Sequence, residues 1–339
     1  MLGRNPGWVT TQGEILAELL RSEGYSVRIT STIPSRLPRL LDTLACLARW
    51  SRSIDVAIVS VFSDKAFVVA DATTLLLRAL GKPQVLVLRG GALPEFQRRH
   101  PDWMRRVLRR GCIVVAPSEY LARATRPLGL IAEVMPNILE IEKYSFRSRE
   151  RPHPRLLWMR TFHEIYNPGM AVDVLAALKP FIPDAILTMA GQEKGRLQHV
   201  RDAASARRLD ASIRFPGFLD LEGKQREFAG HDIFLNTNRI DNMPVSLLEA
   251  AAFGLPIVST DVGGISDLFI HEETALLVGS EDASAMADAV RRLLDDPDLS
   301  ARLSGNARRL AESCSWTALR HRWGNVLARA SACGKERGR

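Results

Sequence analysis

The chain has 339 residues, 46% of them apolar and 25% charged, with a formal net charge of +8. This length suits two domains of ordinary size, and the composition is that of a folded globular protein, which excludes a disordered or low-complexity chain. The longest apolar run, Ala66 to Leu77, is interrupted by Asp71 and is too short to span a bilayer.

In chain order, apolar periodicity predicts a helix at 12–23, a strand at 26–30, a helix at 36–50, a strand at 55–61 and a helix at 65–80. Strands follow at 84–88, 112–116 and 131–135. The second half reads as strands at 155–159, 185–190, 212–215, 232–236, 256–260 and 275–278, with helices at 168–179, 244–253 and 283–294. A last helix is expected at Trp316–Ala330. The alternation of strand and helix implies parallel sheets covered on both faces, an α/β fold. Eleven strands exceed what one sheet ordinarily holds. Two sheets are therefore expected, divided within the charged stretch Asn137 to Pro154. Cys46, Cys112, Cys314 and Cys333 are scattered without metal-ligand spacing, as in a reducing cytosol. No charged segment followed by an apolar run marks a signal peptide at the start. A cytoplasmic protein is the expectation.

The charge is unevenly placed. Residues 1–150 hold 22 Lys/Arg against 14 Asp/Glu, so the whole excess of +8 sits in the first half. Pro94 to Arg110 sets six arginines beside Phe96, Trp103, Met104, Val107 and Leu108. Arg36 to Arg52 is a second basic, amphipathic segment. Such segments can lie on an anionic membrane, and the first would add insertion of Trp103 and Val107. The alternative is that their apolar residues face a core. No helix-turn-helix, RNA-recognition or zinc pattern appears, so nucleic acid is not an expected partner.

The most informative stretch runs from Asn236 to Gly264, NTNRIDNMPVSLLEAAAFGLPIVSTDVGG. Asp241 precedes a helix start at Pro244, and Glu249 lies in that helix's second turn. Gly254 and Pro256 stop the helix. At 1.5 Å per residue the two carboxylates stand roughly 10–12 Å apart, with a phosphate-favouring helix N-terminus between them. A nucleotide sugar has matching dimensions: sugar at Asp241, phosphates at the helix start, ribose at Glu249.

At these residues the chain resembles family 4 of the retaining glycosyltransferases, which have the GT-B fold of two facing Rossmann-like, doubly wound domains. The resemblance rests on the acidic pair Asp241 and Glu249, with aspartate where the family has a first glutamate, and on the LEAAAFGLPIVSTDVGG continuation. It implies a nucleotide-sugar-binding domain over 151–314, an acceptor-binding domain over 1–150, and a crossover helix over 315–331 that returns to the first domain. It also implies that Met1–Gly3 are only the tail of a truncated first strand. Asp241 and Arg160 take the catalytic positions. Arg160 matches the arginine of a Gly-Arg-x4-Lys-Gly pattern, whose lysine is missing here; Asn167 stands in its neighbourhood. Asn242, Met243 and Val245 fall on the donor side with Glu249. Phe218 matches a turn beside the base, and Gly191 a glycine after a strand. Gly13 and Arg89 take positions facing the sugar or acceptor.

The expected activity is retaining, metal-independent hexosyl transfer from a nucleotide sugar to a glycan or lipid-linked acceptor, in polysaccharide biosynthesis. No cofactor is expected. The missing lysine leaves a second reading open, a non-catalytic nucleotide-sugar-binding partner in a glycan-assembly complex. A dinucleotide-dependent oxidoreductase is disfavoured, because no Gly-x-Gly-x-x-Gly follows a first strand.

Overall fold

The computed structural model describes residues 11–33 and 35–337. The chain forms two compact units, one of residues up to Ile138 together with Trp316 onward, the other Leu139–Ser315. The expected strand tail at Met1–Gly3 lies outside the described residues.

The first unit holds a four-stranded parallel sheet in the order β1–β2–β3–β4: Ala57–Val61, Gln84–Leu88, Ile113–Ala116 and Glu133–Val134. Alternation sorts the side chains between two layers. Val59, Val61, Leu86, Leu88, Val114 and Ala116 face a core built with Phe67, Phe96 and Met104. Val85, Val87 and Val115 face the other way, onto Leu16 and Leu20 of the helix Gln12–Ser22 and onto Leu319, Trp323 and Val326 of the helix Trp316–Arg337. The last helix is thus an integral layer of the first unit and runs beyond the expected Ala330.

Two expectations change here. Residues 26–30 form no strand. The Val27 carbonyl accepts from Arg21 Nε and Nη2 at 3.1 and 2.9 Å, so a side chain takes a ladder position. The division between units falls at Ile138, inside the expected stretch Asn137 to Pro154 but earlier than the expected domain bound at 150. Leu139, Ile141 and Tyr144 pack into the second core, and Arg149 is buried there, donating to the carbonyls of Phe228 and His231 at 2.8 and 3.2 Å.

The basic segment Pro94–Arg110 belongs to the core. It forms the helices Leu93–Arg99 and Pro101–Leu108, with Phe96, Met104, Val107 and Leu108 buried. Trp103 meets Phe67 edge-on at 4.9 Å and its indole N–H donates to Asp71 at 2.6 Å. Arg110 is buried and donates to Thr74 at 2.9 Å. The expected insertion of Trp103 and Val107 into a membrane is therefore unavailable to them: their apolar surface is already packed. Among the described residues no helix is long and apolar enough to cross a membrane.

The second unit holds a six-stranded parallel sheet in the order β10–β9–β8–β5–β6–β7. These strands are β5 Arg155–Met159, β6 Ile186–Ala190, β7 Ile213–Gly217, β8 Ile233–Asn236, β9 Ile257–Thr260 and β10 Leu276–Val278. From β5 the chain builds one side of the sheet, then returns to β8 and builds the other. The order reverses between β5 and β8, and open α/β sheets bind ligands beyond the carboxyl ends of such strands. Trp158 and Leu156 face one core, Leu157 and Met159 the other.

One buried group links this core to pH. The His231 ring bridges the Glu227 carbonyl, 2.6 Å from Nδ1, and Thr188 Oγ1, 2.8 Å from Nε2. Burial pushes its pKa below the ordinary 6.5, against the pull of the Glu227 carbonyl. The unfolded chain then binds a proton that the folded one resists. This stabilisation is present above about pH 6.5 and is lost as pH falls from there towards the folded value. Urea unfolding at pH 7.5 and 5.5 is expected to show the loss, with a smaller loss in His231→Gln; equal losses in both proteins would remove His231 as its source.

Candidate active site

Arg160 leaves the carboxyl end of β5, and Thr237–Pro244 leave that of β8, so the switch point brings Arg160 and Asp241 together. The Arg160 guanidinium pairs with Asp241 Oδ2, donates to Ser246 Oγ at 3.4 Å and lies 4.1 Å over the Tyr166 ring. Both members of the pair are about 15% exposed, at 15% and 14%. Arg160 Nε is buried without a hydrogen-bond partner. Asp241 Oδ2 also accepts from Asn238 Nδ2 at 2.7 Å, and Oδ1 accepts from the Asn242 backbone N–H at 2.7 Å. A carboxylate fixed at both oxygens is a positioned acceptor rather than a mobile surface group.

Two glycines let the loops approach this closely. A Cβ on Gly191, at φ +154°, would lie 1.8 Å from the Arg160 carbonyl oxygen. A Cβ on Gly263, at φ +63°, would lie 1.9 Å from the Asp241 carbonyl oxygen, which accepts from Gly264 N–H at 3.0 Å. Gly263, the first glycine of the pair after β9, is thus a direct steric requirement of Asp241's position.

The helix Val245–Phe253 follows Pro244 without a side-chain cap, and Ser246 of its first turn accepts from Arg160, which sets the helix start beside the Arg160–Asp241 pair. Asn242 and Met243 are buried just ahead of it. Glu249 is 6% exposed. Its carboxylate accepts from Lys224 Nζ at 3.0 and 3.3 Å and from the Tyr144 hydroxyl at 3.3 Å. Burial, then the Glu249 charge, pushes the Tyr144 phenol far above its usual pKa, so it stays a donor. Sequence reasoning missed Lys224, which stands among charged residues of the helix Leu221–Gly230 and looks like a solvated side chain.

Asn167 is placed differently from a phosphate donor. It sits in the left-handed region at φ +45° and is 8% exposed, and its amide donates to Glu281 Oε2 at 3.0 Å. Glu281 also accepts from Arg239 Nε at 2.5 Å, a bond that holds its carboxyl below the usual range. Arg239 reaches Glu164 on its other side. Arg239, Glu281 and Glu164 were not legible as a cluster, because their pairing spans distant parts of the chain. Phe218 is 40% exposed and follows Gly217 at φ +82°.

Gly13 and Arg89 belong to the first unit. Gly13 lies in the first turn of a helix capped by Thr11 and Glu14, and a Cβ there would meet nothing closer than 3.8 Å. The space does not require glycine. Arg89 follows β2 and donates to Asn137 Oδ1 at 2.8 Å; burial lowers its pKa to about 10, so it remains charged at neutral pH.

Residues 141–310, half of the chain, match the family model of glycosyl transferases group 1, a span that includes Arg160, Asp241 and Glu249. The chain is 30% identical over 154 residues to a glycogen synthase of Mycobacterium tuberculosis, covering 44% of this chain and 37% of that protein. It is 26% identical over 226 residues to the lipopolysaccharide core biosynthesis mannosyltransferase LpsB of Rhizobium meliloti, covering 62% and 63%. The match thus spans less than two thirds of either relative. The structure resembles Anabaena HepE in complex with UDP-glucose, with a TM-score of 0.71 at 14% identity over 94% and 90% of the two chains. That likeness gives the fold, GT-B. The chain belongs to the group 1 glycosyl transferases.

Proposed function

We propose that this chain transfers a hexosyl group from a nucleotide sugar to a glycan or lipid-linked acceptor in polysaccharide biosynthesis, with retention of configuration and without a metal. The observation that carries the reading is the Arg160–Asp241 pair beside the uncapped start of the helix Val245–Phe253, with Glu249 buried further along that helix. As the sugar–phosphate bond breaks, the sugar becomes oxocarbenium-like and the leaving diphosphate gains negative charge. Arg160 and the first-turn N–H groups stabilise that charge where it grows. Asp241 orients the sugar, and Glu249 accepts from the ribose hydroxyls. The lipopolysaccharide-core mannosyltransferase and the UDP-glucose complex among the similar proteins support this donor and this setting.

Glu249→Ala is expected to weaken nucleotide-sugar binding by about 1–3 kcal/mol, roughly five- to a hundred-and-fiftyfold. Titration calorimetry over a panel of nucleotide sugars measures this, with Glu249→Gln as the variant that keeps the shape. Unchanged affinity in a folded variant places the ribose elsewhere.

Asn167's engagement with Glu281 favours the second reading, binding without transfer, since no lysine joins Arg160 at the diphosphate. Donor turnover decides between the two.

A further inference from the structure

The helices Arg36–Trp50 and Phe67–Ala79 pack against each other on the first unit. Their inner faces bury Thr43 and Leu47 from one, and Phe67, Ala70, Thr74 and Leu77 from the other. A helix on the surface of a globular protein ordinarily turns charged and polar residues outward. These two do the opposite. Leu37 is 66% and Leu41 59% exposed, and Ala45 and Ala48 continue the same stripe. On the second helix Val68 is 47% and Leu75 55% exposed, with Ala72 between them and Ala79 beyond. The spacing of three and four residues keeps each set on one face.

The two helices and the turns that flank them carry exposed cations. Arg49, Arg52, Lys65 and Arg78 are exposed and take part in no ion pair or hydrogen bond among the described residues. The two helices carry two carboxylates, Asp42 and Asp71, and the flanking turns add Asp55 and Asp64; Asp71 is held by Arg110 and Trp103, and Asp64 by Arg99 at 3.2 Å. An exposed apolar surface accompanied by unpaired cations complements acyl chains beneath anionic headgroups.

We infer that these two helices dock the protein on an anionic lipid surface. The surface lies in the first unit and is independent of the donor site proposed for the second, so either can fail without the other. It also differs from the segment Pro94–Arg110, whose apolar residues are buried.

The test is cosedimentation of the full chain with phosphatidylglycerol vesicles and with phosphatidylcholine vesicles, at low and high salt. Binding to the anionic vesicles is expected, reduced by salt through screening but not abolished, because the apolar stripe is insensitive to it. The triple variant Leu37→Ser, Leu41→Ser, Leu75→Ser is expected to lose binding by about tenfold or more, with its melting temperature and nucleotide-sugar affinity unchanged. Arg49→Gln with Arg52→Gln and Arg78→Gln is expected to remove the preference for anionic vesicles. A wild-type protein that stays in the supernatant with anionic vesicles at low salt overturns the inference. So does binding that the leucine variant retains, or self-association in sedimentation velocity that the leucine variant abolishes, which would make the surface an interface between two copies.

Discussion

Arg160→Ala is expected to lower kcat by about a hundred- to a thousandfold, with a much smaller change in donor affinity. The guanidinium is aimed by three contacts: the Asp241 carboxylate, Ser246 Oγ and the Tyr166 ring. Charge on the departing diphosphate is larger in the transition state than in the bound donor, so its loss is felt mainly in turnover. The variant also leaves Asp241 without its countercharge in a site that is only 14% exposed. A broken ion pair of that kind costs stability as well. Melting temperature therefore has to be read beside kcat. Arg160→Lys keeps the charge but loses the planar fork that meets both Asp241 and Ser246, and an intermediate kcat is expected. Unaltered turnover in a folded Arg160→Ala protein would take Arg160 out of the reaction.

Gly191→Ala is expected to damage both fold and site. The added Cβ would lie 1.8 Å from the Arg160 carbonyl oxygen and 2.6 Å from its carbon, and both are backbone atoms that no rotamer change can move. The position also holds φ +154°, which L side chains rarely adopt. Strain of about 1–3 kcal/mol from the backbone conformation is compounded by a similar overpacking cost. Relief requires Arg160 or β6 to shift, so turnover falls even where the variant folds. Gly13→Ala is the contrasting control, since its space is open. A Gly191→Ala protein with wild-type melting and turnover would show that the loop yields freely.

The second unit was legible because its strands are short, mostly apolar runs, and because Asp241, Pro244, Glu249 and Gly254 punctuate one helix. Arg160 was legible only through the resemblance; its partner Asp241 lies on another loop, and sheet order brings them together. Lys224 was invisible for the same reason: its meeting with Glu249 depends on how two helices pack. Periodicity also could not say what an apolar face touches. Met104 and Val107 at helical spacing turned out to be core, whereas Leu37, Leu41 and Leu75 at the same spacing face outward. The strand expected at 26–30 failed because alternation marks a strand's pleat but supplies no neighbour to pair with.

Proton NMR of the wild-type chain incubated with a nucleotide sugar tests whether it is a retaining transferase. The anomeric signals of the donor and of the first-formed product, glycoside or free sugar, are followed as the donor is consumed. Retaining transfer at the Arg160–Asp241 site predicts consumption of a nucleotide sugar, a product with the donor's anomeric configuration, and loss of that conversion in Arg160→Ala. A product of inverted configuration, or a donor that binds but is never consumed with any acceptor offered, would contradict it.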